Sequence, residues 1–145
     1  MNRKFSNLLI VLIAFTTLIM LSGCEDNSRE DRLEAALQSG VDVQTIGNGN
    51  TTFRFEVLDL EDNVSVWYVS TNETTVGAAL LDVGLIAGED GAFGLFVSEV
   101  NGITADFAAD STWWAFSIDG EPAMMGVDAA EIEQGKTYAF VLTRG

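Results

Sequence analysis

Cys24 is the residue with the most distinctive chemistry, because it is the only cysteine of the chain and it follows a short basic start and an apolar run. Arg3 and Lys4 supply the positive charge. The segment Leu21-Ser22-Gly23-Cys24 places small residues directly before the thiol, as at a peptidase site whose cysteine becomes acylated. The apolar run is short for a membrane-spanning helix, which needs roughly 20 residues. The pattern predicts a bacterial lipoprotein signal peptide over 1–23, with lipidation at Cys24.

Acidic residues dominate the rest of the chain. Carboxylates number 22 against 7 basic residues, and loss of Arg3 and Lys4 with the signal peptide leaves a net charge of −17. Such a surface repels nucleic acid and anionic lipid headgroups, so no nucleic-acid partner is expected. The chain has no histidine and no second cysteine, which excludes imidazole and thiolate catalysis, disulfides and Cys/His metal sites. We therefore expect a protein that is not an enzyme.

The carboxylates form local groups at 61–62 and 89–90, at Asp106 with Asp110, and near Asp128. Paired carboxylates can hydrolyse glycosides, and clusters of oxygen ligands can bind Ca²⁺. The spacing matches no EF-hand loop, and solvated acids are common in turns. We predict no catalytic residue and no metal ligand here, while a structural Ca²⁺ in the acidic loops stays an open alternative.

Two pairs of neighbouring side chains could contact a ligand. Strand alternation sends Trp114 to one face and Trp113 to the other. One indole should therefore lie in the core, and the other could stack on a flat ligand or a sugar; that both fill core is the alternative. Met124 and Met125 are flexible and polarizable, so they suit either a contact surface or a gap in the core.

The elements that position these residues begin after a cluster of glycines and asparagines at 47–50. Residues 24–50 are mostly polar, with a helical turn or two at 29–38, and predict a flexible tether. A single domain is expected over 51–145. Alternating apolar residues at 53–57 and 64–68 predict a hairpin that turns at 61–63.

A short helix should follow over 74–84, capped by a threonine and ended by Gly84. The remaining expectations are a glycine-rich loop at 88–91, a strand at 94–100, a hairpin turn at Asn101-Gly102, and strands at 112–118 and 137–143. The chain should therefore be mostly β with one short helix packed on the sheet.

This order of elements resembles the bacterial DUF4430 family, which is related to the C-terminal domain of transcobalamin and gastric intrinsic factor. The resemblance covers 74–145 and is most specific in WWAFSIDGEPAMMGVDAAEIEQGKTYAF, with support from TVGAALLDVGL and NGITADF. It implies an α+β, mostly β domain of β-grasp type. In the vertebrate vitamin carriers, that domain covers one face of cobalamin.

Position by position, the resemblance implies that the ligand-facing residues are Trp113, Trp114, Pro122, Met124 and Met125. Those carriers clasp the vitamin between this domain and a large helical barrel, which this chain lacks. No histidine is present to ligate cobalt, so a corrinoid would be held by shape, apolar contact and backbone hydrogen bonds.

The leading hypothesis is a lipid-anchored binding module on the extracytoplasmic face of the cell membrane. Its ligand would be cobalamin or another corrinoid, held together with a partner surface protein or transporter. The alternative is an adhesion module that recognises protein or glycan and takes no cofactor.

Overall fold

The computed structural model describes residues 35, 37–41 and 43–145. The predicted signal peptide lies outside these residues, as do residues 24–34, 36 and 42 of the predicted tether, Cys24 among them. Within the described part of the chain, no helix combines the length and apolar character needed to cross a bilayer.

Residues 43–145 form nine strands and two short helices. In chain order these are β1 (Val43–Gly47), β2 (Thr51–Leu58), β3 (Val64–Thr71), α1 (Val76–Asp82), β4 (Ile86–Gly91), β5 (Gly94–Val100), β6 (Ile103–Thr104), α2 (Phe107–Asp110), β7 (Thr112–Ile118), β8 (Glu121–Pro122) and β9 (Thr137–Arg144). The prediction of a mostly β chain with one short helix packed on the sheet is confirmed. The structure adds α2, a single turn whose N-terminus is capped by the Asp106 carboxylate.

The strands form two sheets. The larger has the order β1-β3-β2-β9-β7-β8, and the smaller has the order β4-β5-β6. β2 pairs antiparallel with β3 and in parallel with β9. An early strand and the last strand of the chain therefore lie side by side at the centre of the large sheet. β7 pairs antiparallel with β9 along its whole length, which places the two tryptophans one strand from the sheet centre.

One core unites both sheets and α1. Its aromatic centre is built from edge-to-face contacts, such as Phe53 with Tyr138 at 5.5 Å between ring centroids and Phe55 with Phe140 at 6.2 Å. Leu80 of α1 is fully buried against this centre. Phe53, Phe55 and Val57 alternate along β2 and face this core, whereas Leu58 is buried on the other face of the strand.

The opposite face of the large sheet carries a second, smaller cluster. Leu58, Ala139 and Val141 are buried there, and the half-buried Leu37 and Val64 pack against them. Leu37 belongs to the segment that precedes the sheet, so this part of the expected tether is folded onto the domain.

The local signals of the sequence are reproduced. Phe53 lies opposite Val69 in the predicted β2–β3 hairpin. The side-chain oxygen of Thr75 accepts a hydrogen bond from the Ala78 N–H at 3.3 Å, and α1 ends before Gly84. Asn101 and Gly102 have φ values of 50° and 76°, as a two-residue hairpin turn requires.

Ordered structure begins earlier than Thr51, which corrects the predicted start of order. β1 pairs in parallel with β3, with Val43 opposite Val66. Gly47 and Gly49 lie against the backbone of Ser70 and Thr71, so closely that a Cβ at either position would overlap it. These glycines permit close approach of the two backbones. The prediction that residues 47–50 end a flexible tether is therefore corrected.

The predicted loop at 88–91 is also corrected, because these residues belong to β4. Gly88 stands opposite the Phe96 carbonyl, with no room for a Cβ, and the register shifts between Ala87 and Gly88 as in a β-bulge. The turn of this hairpin lies further on, between Gly91 and Gly94.

Candidate ligand-binding site

The outer edge of β7 is covered over only part of its length. β8 pairs only with Ser117 and Ile118, and the Phe116 carbonyl then accepts a hydrogen bond from the Ala123 N–H at 3.1 Å. Backbone groups alternate along a strand, so the N–H and C=O of Trp114 point to the same edge as those of Phe116. β5 of the smaller sheet lies in contact with β7.

An apolar pocket of about 230 Å³ lies between the two sheets at this edge. Its walls come from β5, β7, β9 and the loop before Val127. The lining residues are Leu95, Phe96, Val97, Trp113, Trp114, Phe116, Gly126, Val127 and Phe140. Phe96 forms part of the rim and is 64% exposed.

The two tryptophans differ in burial, as strand alternation predicts. Trp114 is buried, and its indole N–H donates a hydrogen bond to the Ile103 carbonyl at 3.2 Å. Trp113 is half-buried and lies 5.9 Å from the Phe107 ring, centroid to centroid. Both residues line the pocket, Trp114 as part of its fixed inner wall.

The other predicted contact residues flank the pocket without lining it. Pro122 is exposed, Met124 is 95% exposed and Met125 is 51% exposed. Neither methionine fills a gap in the core. Their loop continues directly into Gly126 and Val127, which do line the pocket.

Sequence reasoning missed the contribution of the β4–β5 hairpin. Phe93 at its tip is fully exposed, and Phe96 forms the rim of the pocket. The glycines on both sides suggested a loop, although two phenylalanines around Gly94 are an unusual content for a solvated turn.

Asp128 lies where the tip of the β4–β5 hairpin meets the loop that carries Met124 and Met125. A Cβ at Gly94 would lie 2.7 Å from Oδ2 of Asp128, and a Cβ at Gly126 would lie 2.6 Å from Oδ1. The carboxylate is therefore directly beside two backbone segments that lead into the pocket.

A second pocket, of about 440 Å³, lies on the opposite face of the large sheet and is more polar. Arg54 Nε donates to Glu56 Oε1 at 2.5 Å, and Glu56 is buried. Burial by itself lowers the pKa of Arg54, but the hydrogen bond and charge of Glu56, with a further hydrogen bond to Tyr68, outweigh it and raise that pKa above its ordinary value. The guanidinium thus serves to neutralise a buried carboxylate.

Comparison with solved structures supports the architecture. The chain aligns to a protein of Ruminococcus gnavus ATCC 29149, described as a "putative metal binding protein", with 25% identity and a TM-score of 0.62, covering 66% of this chain and 99% of that one. It also aligns to haptocorrin, solved in complex with Cbi, with 16% identity and a TM-score of 0.50, covering 68% of this chain and 27% of haptocorrin.

Sequence comparison adds the family. No curated protein matches this chain significantly. Residues 73–143 match the family model described as a domain of unknown function, DUF4430. This range falls within the 74–145 resemblance except for its first residue, and it contains α1, both tryptophans, Asp128 and most of β9. Residues 73–143 are therefore a DUF4430 domain.

Proposed function

We propose that this protein is a non-enzymatic binding module that holds one apolar face of a small molecule at the pocket between β5 and β7. The observation that carries this proposal is an apolar pocket with an exposed aromatic rim in a chain whose net charge is −15. An acidic protein gains solubility from covering such a surface, so its retention favours a binding role.

The size of the pocket limits how the ligand is held. Its volume of about 230 Å³ lies below the roughly 300 to 1,000 Å³ of sites that enclose a drug-sized ligand. A larger flat molecule would insert one edge and lie across the exposed Phe96 and Met125. The domain then covers one side of the ligand, and a partner protein or transporter covers the other.

Corrinoids are the first ligands to test. Haptocorrin shares the fold and was solved in complex with Cbi, which supports this choice. The pocket offers the contacts that a corrin ring needs in the absence of histidine: aromatic surface at Phe96 and Trp113, and the backbone edge at Trp114. Cobinamide and cobalamin should bind alike, because no histidine reads the lower axial position.

Binding of a metal ion is a separate question from binding of a corrinoid. The Ruminococcus gnavus protein carries a metal-binding description. Among residues 35, 37–41 and 43–145 of this chain, no group of three or more Asp, Glu, Cys or His side chains could hold a metal ion. The proposal therefore names no metal site.

Lipid attachment at Cys24 completes the proposal and places the domain on the extracytoplasmic face of the membrane. It rests on the sequence pattern of residues 1–24. Anchoring suits a module that captures a ligand outside the cell and passes it to a membrane partner.

Calorimetric titration of the purified protein with dicyanocobinamide and with cyanocobalamin tests ligand binding. Phe96→Ala should weaken binding by about 1 to 3 kcal/mol, the scale of a lost aromatic contact, with little loss of stability because Phe96 is exposed. Trp113→Ala should weaken it in the same direction. Tyr68→Ala is the matched control, since this exposed aromatic lies opposite Arg54 and so on the other face. Absence of heat with both corrinoids contradicts the corrinoid proposal.

The second candidate is a protein- or glycan-interaction module without a cofactor. Phe93 and Met124 favour it, because they are almost completely exposed and lie outside the pocket. A corrinoid-binding protein purified from cells supplied with corrinoid should be coloured. A colourless protein whose capture of a partner is lost in Phe93→Ser favours the second candidate.

A further inference from the structure

The Asp128 side chain is exposed, and the two residues before it, Gly126 and Val127, line the pocket. Two backbone segments approach the Asp128 carboxylate oxygens at Gly94 and Gly126, where a Cβ would lie 2.7 Å and 2.6 Å from them. Any larger residue at Gly126 would push the carboxylate aside. The absence of a side chain at both positions leaves room for the carboxylate next to the segments that carry Leu95 and Val127 of the pocket wall.

The backbone of Asp128, in contrast, is fixed by α1. The Gly77 N–H donates to the Val127 carbonyl at 2.9 Å, and the Val76 N–H donates to the Ala130 carbonyl at 2.8 Å. A Cβ at Gly77 would lie only 2.8 Å from the Asp128 Cα, so helix and loop are in close contact. The charge is thus presented from a rigid position.

No described residue satisfies this charge. Within 35, 37–41 and 43–145, neither a hydrogen bond nor an ion pair reaches the Asp128 side chain. By comparison, Asp106 and Asp110 bond to nearby backbone or hydroxyl groups in their own turn. Asp128 therefore combines a fixed backbone with an exposed carboxylate that has no partner among the described residues, and such a carboxylate can accept a hydrogen bond from a ligand.

We propose that Asp128 recognises the polar groups at the edge of the ligand. Its carboxylate accepts a hydrogen bond from an amide N–H and repels a carboxylate. This inference rests on the proposed function, because the apolar face of the ligand must occupy the pocket to bring its periphery to Asp128. Corrinoids carry peripheral groups that occur either as primary amides or as carboxylates. Asp128 selects the amidated forms.

The test compares two probes of the same ring, dicyanocobinamide and the fully hydrolysed dicyanocobyrinic acid, each titrated into the purified full-length protein at fixed ionic strength. The wild type should bind the amidated probe at least tenfold more tightly. Asp128→Asn keeps the shape and removes the charge, and should reduce this preference by at least tenfold.

Two further variants separate an effect of the Asp128 carboxylate from an effect of the net charge of the protein. Gly126→Ala displaces the carboxylate without removing its charge, so it should also reduce the preference. Glu61→Gln removes one exposed charge in the β2–β3 turn, outside the pocket lining, and should leave the preference within about twofold.

The outcomes distinguish this inference from the proposed function. Binding of both probes with an unchanged preference in Asp128→Asn overturns the role of Asp128 and leaves corrinoid binding intact. An equal reduction in Glu61→Gln also overturns it, because net charge then accounts for the effect. Failure of the wild type to bind either probe overturns the proposed function and this inference together.

Discussion

At the scale of single residues, two hydroxyls of β7 show that burial alone does not decide whether a polar group stabilises the fold. Thr112 and Ser117 are both buried. Thr112 Oγ1 accepts a hydrogen bond from the Asp106 N–H at 3.0 Å and donates to Asp110 Oδ1 at 2.5 Å. Ser117 Oγ has no partner among the described residues. A buried polar group without a partner costs about 1 to 3 kcal/mol.

Opposite effects are expected when these two hydroxyls are removed. Ser117→Ala should leave the free energy of unfolding unchanged or raise it by about 1 kcal/mol, because an unsatisfied group is lost. Thr112→Val should lower it by about 1 to 2 kcal/mol, because the backbone at Asp106 loses an acceptor. Urea unfolding followed by tryptophan fluorescence measures both. Equal losses in the two variants would show that Ser117 has a partner in solution.

The predicted lipidation of Cys24 depends on a single atom, the sulfur of its thiol. Only its thiol can accept the lipid, so Cys24→Ser should move the protein from the membrane fraction to the precursor or the medium. Fractionation and intact mass of the expressed protein measure this. Unchanged partitioning and mass in Cys24→Ser would rule out lipidation.

At the scale of elements, the β4–β5 hairpin depends on Gly88. A Cβ there would overlap the Phe96 carbonyl, whereas a Cβ at Gly91 would lie 3.3 Å from the Gly94 carbonyl. Gly88→Ala should therefore lower the free energy of unfolding by about 1 to 3 kcal/mol and displace Phe96 from the pocket. Gly91→Ala, in the same hairpin, should cost less than half as much. Similar losses in both variants would show that the strand adjusts at Gly88.

The elements that the sequence predicted are those with local signals. The Thr75 cap, the Asn101-Gly102 turn and the alternation of 53–57 each act within a few residues, so they could be read directly. The pairing of β1 with β3 could not, because it depends on contact between the glycines at 47 and 49 and the distant strand backbone. The same holds for the pocket, where Phe96 and Val127 meet the tryptophan strand only through the tertiary fold. Trp113 and Trp114 could be singled out, because strand alternation and the family resemblance both pointed to them.

At the scale of the whole molecule, the N-terminal segment is a structural part of the domain. β1 extends the large sheet, and Leu37 covers Leu58 and Val141 on its second face. Residues 51–145 were expected to fold independently of the tether. Because β1 and Leu37 contact the sheet in this way, we expect the domain to depend on this segment for its stability.

Deletion of residues 25–47 should accordingly lower the free energy of unfolding by about 3 kcal/mol, since it exposes Leu58 and Val141 and leaves β3 as an edge strand. Leu37→Ala should account for about 1 kcal/mol of this loss, because Leu37 is half-buried. Val43→Ala, at a residue 51% exposed, is the matched control and should stay within about 0.5 kcal/mol. A deletion variant with wild-type urea midpoint would restore the tether interpretation.

The docking of Leu37 also fixes how far the domain can travel from a lipid on Cys24. Thirteen residue steps join the two positions, a reach of at most about 45 Å for a fully extended chain. A tether without contacts to the domain up to Thr51 would reach about 95 Å. The shorter limit is close to the thickness of a bilayer with its headgroups, about 40 to 45 Å. With a lipid on Cys24, Leu37 would therefore stay within about one bilayer thickness of the membrane surface, and the domain folded onto it would remain near a membrane-bound transporter.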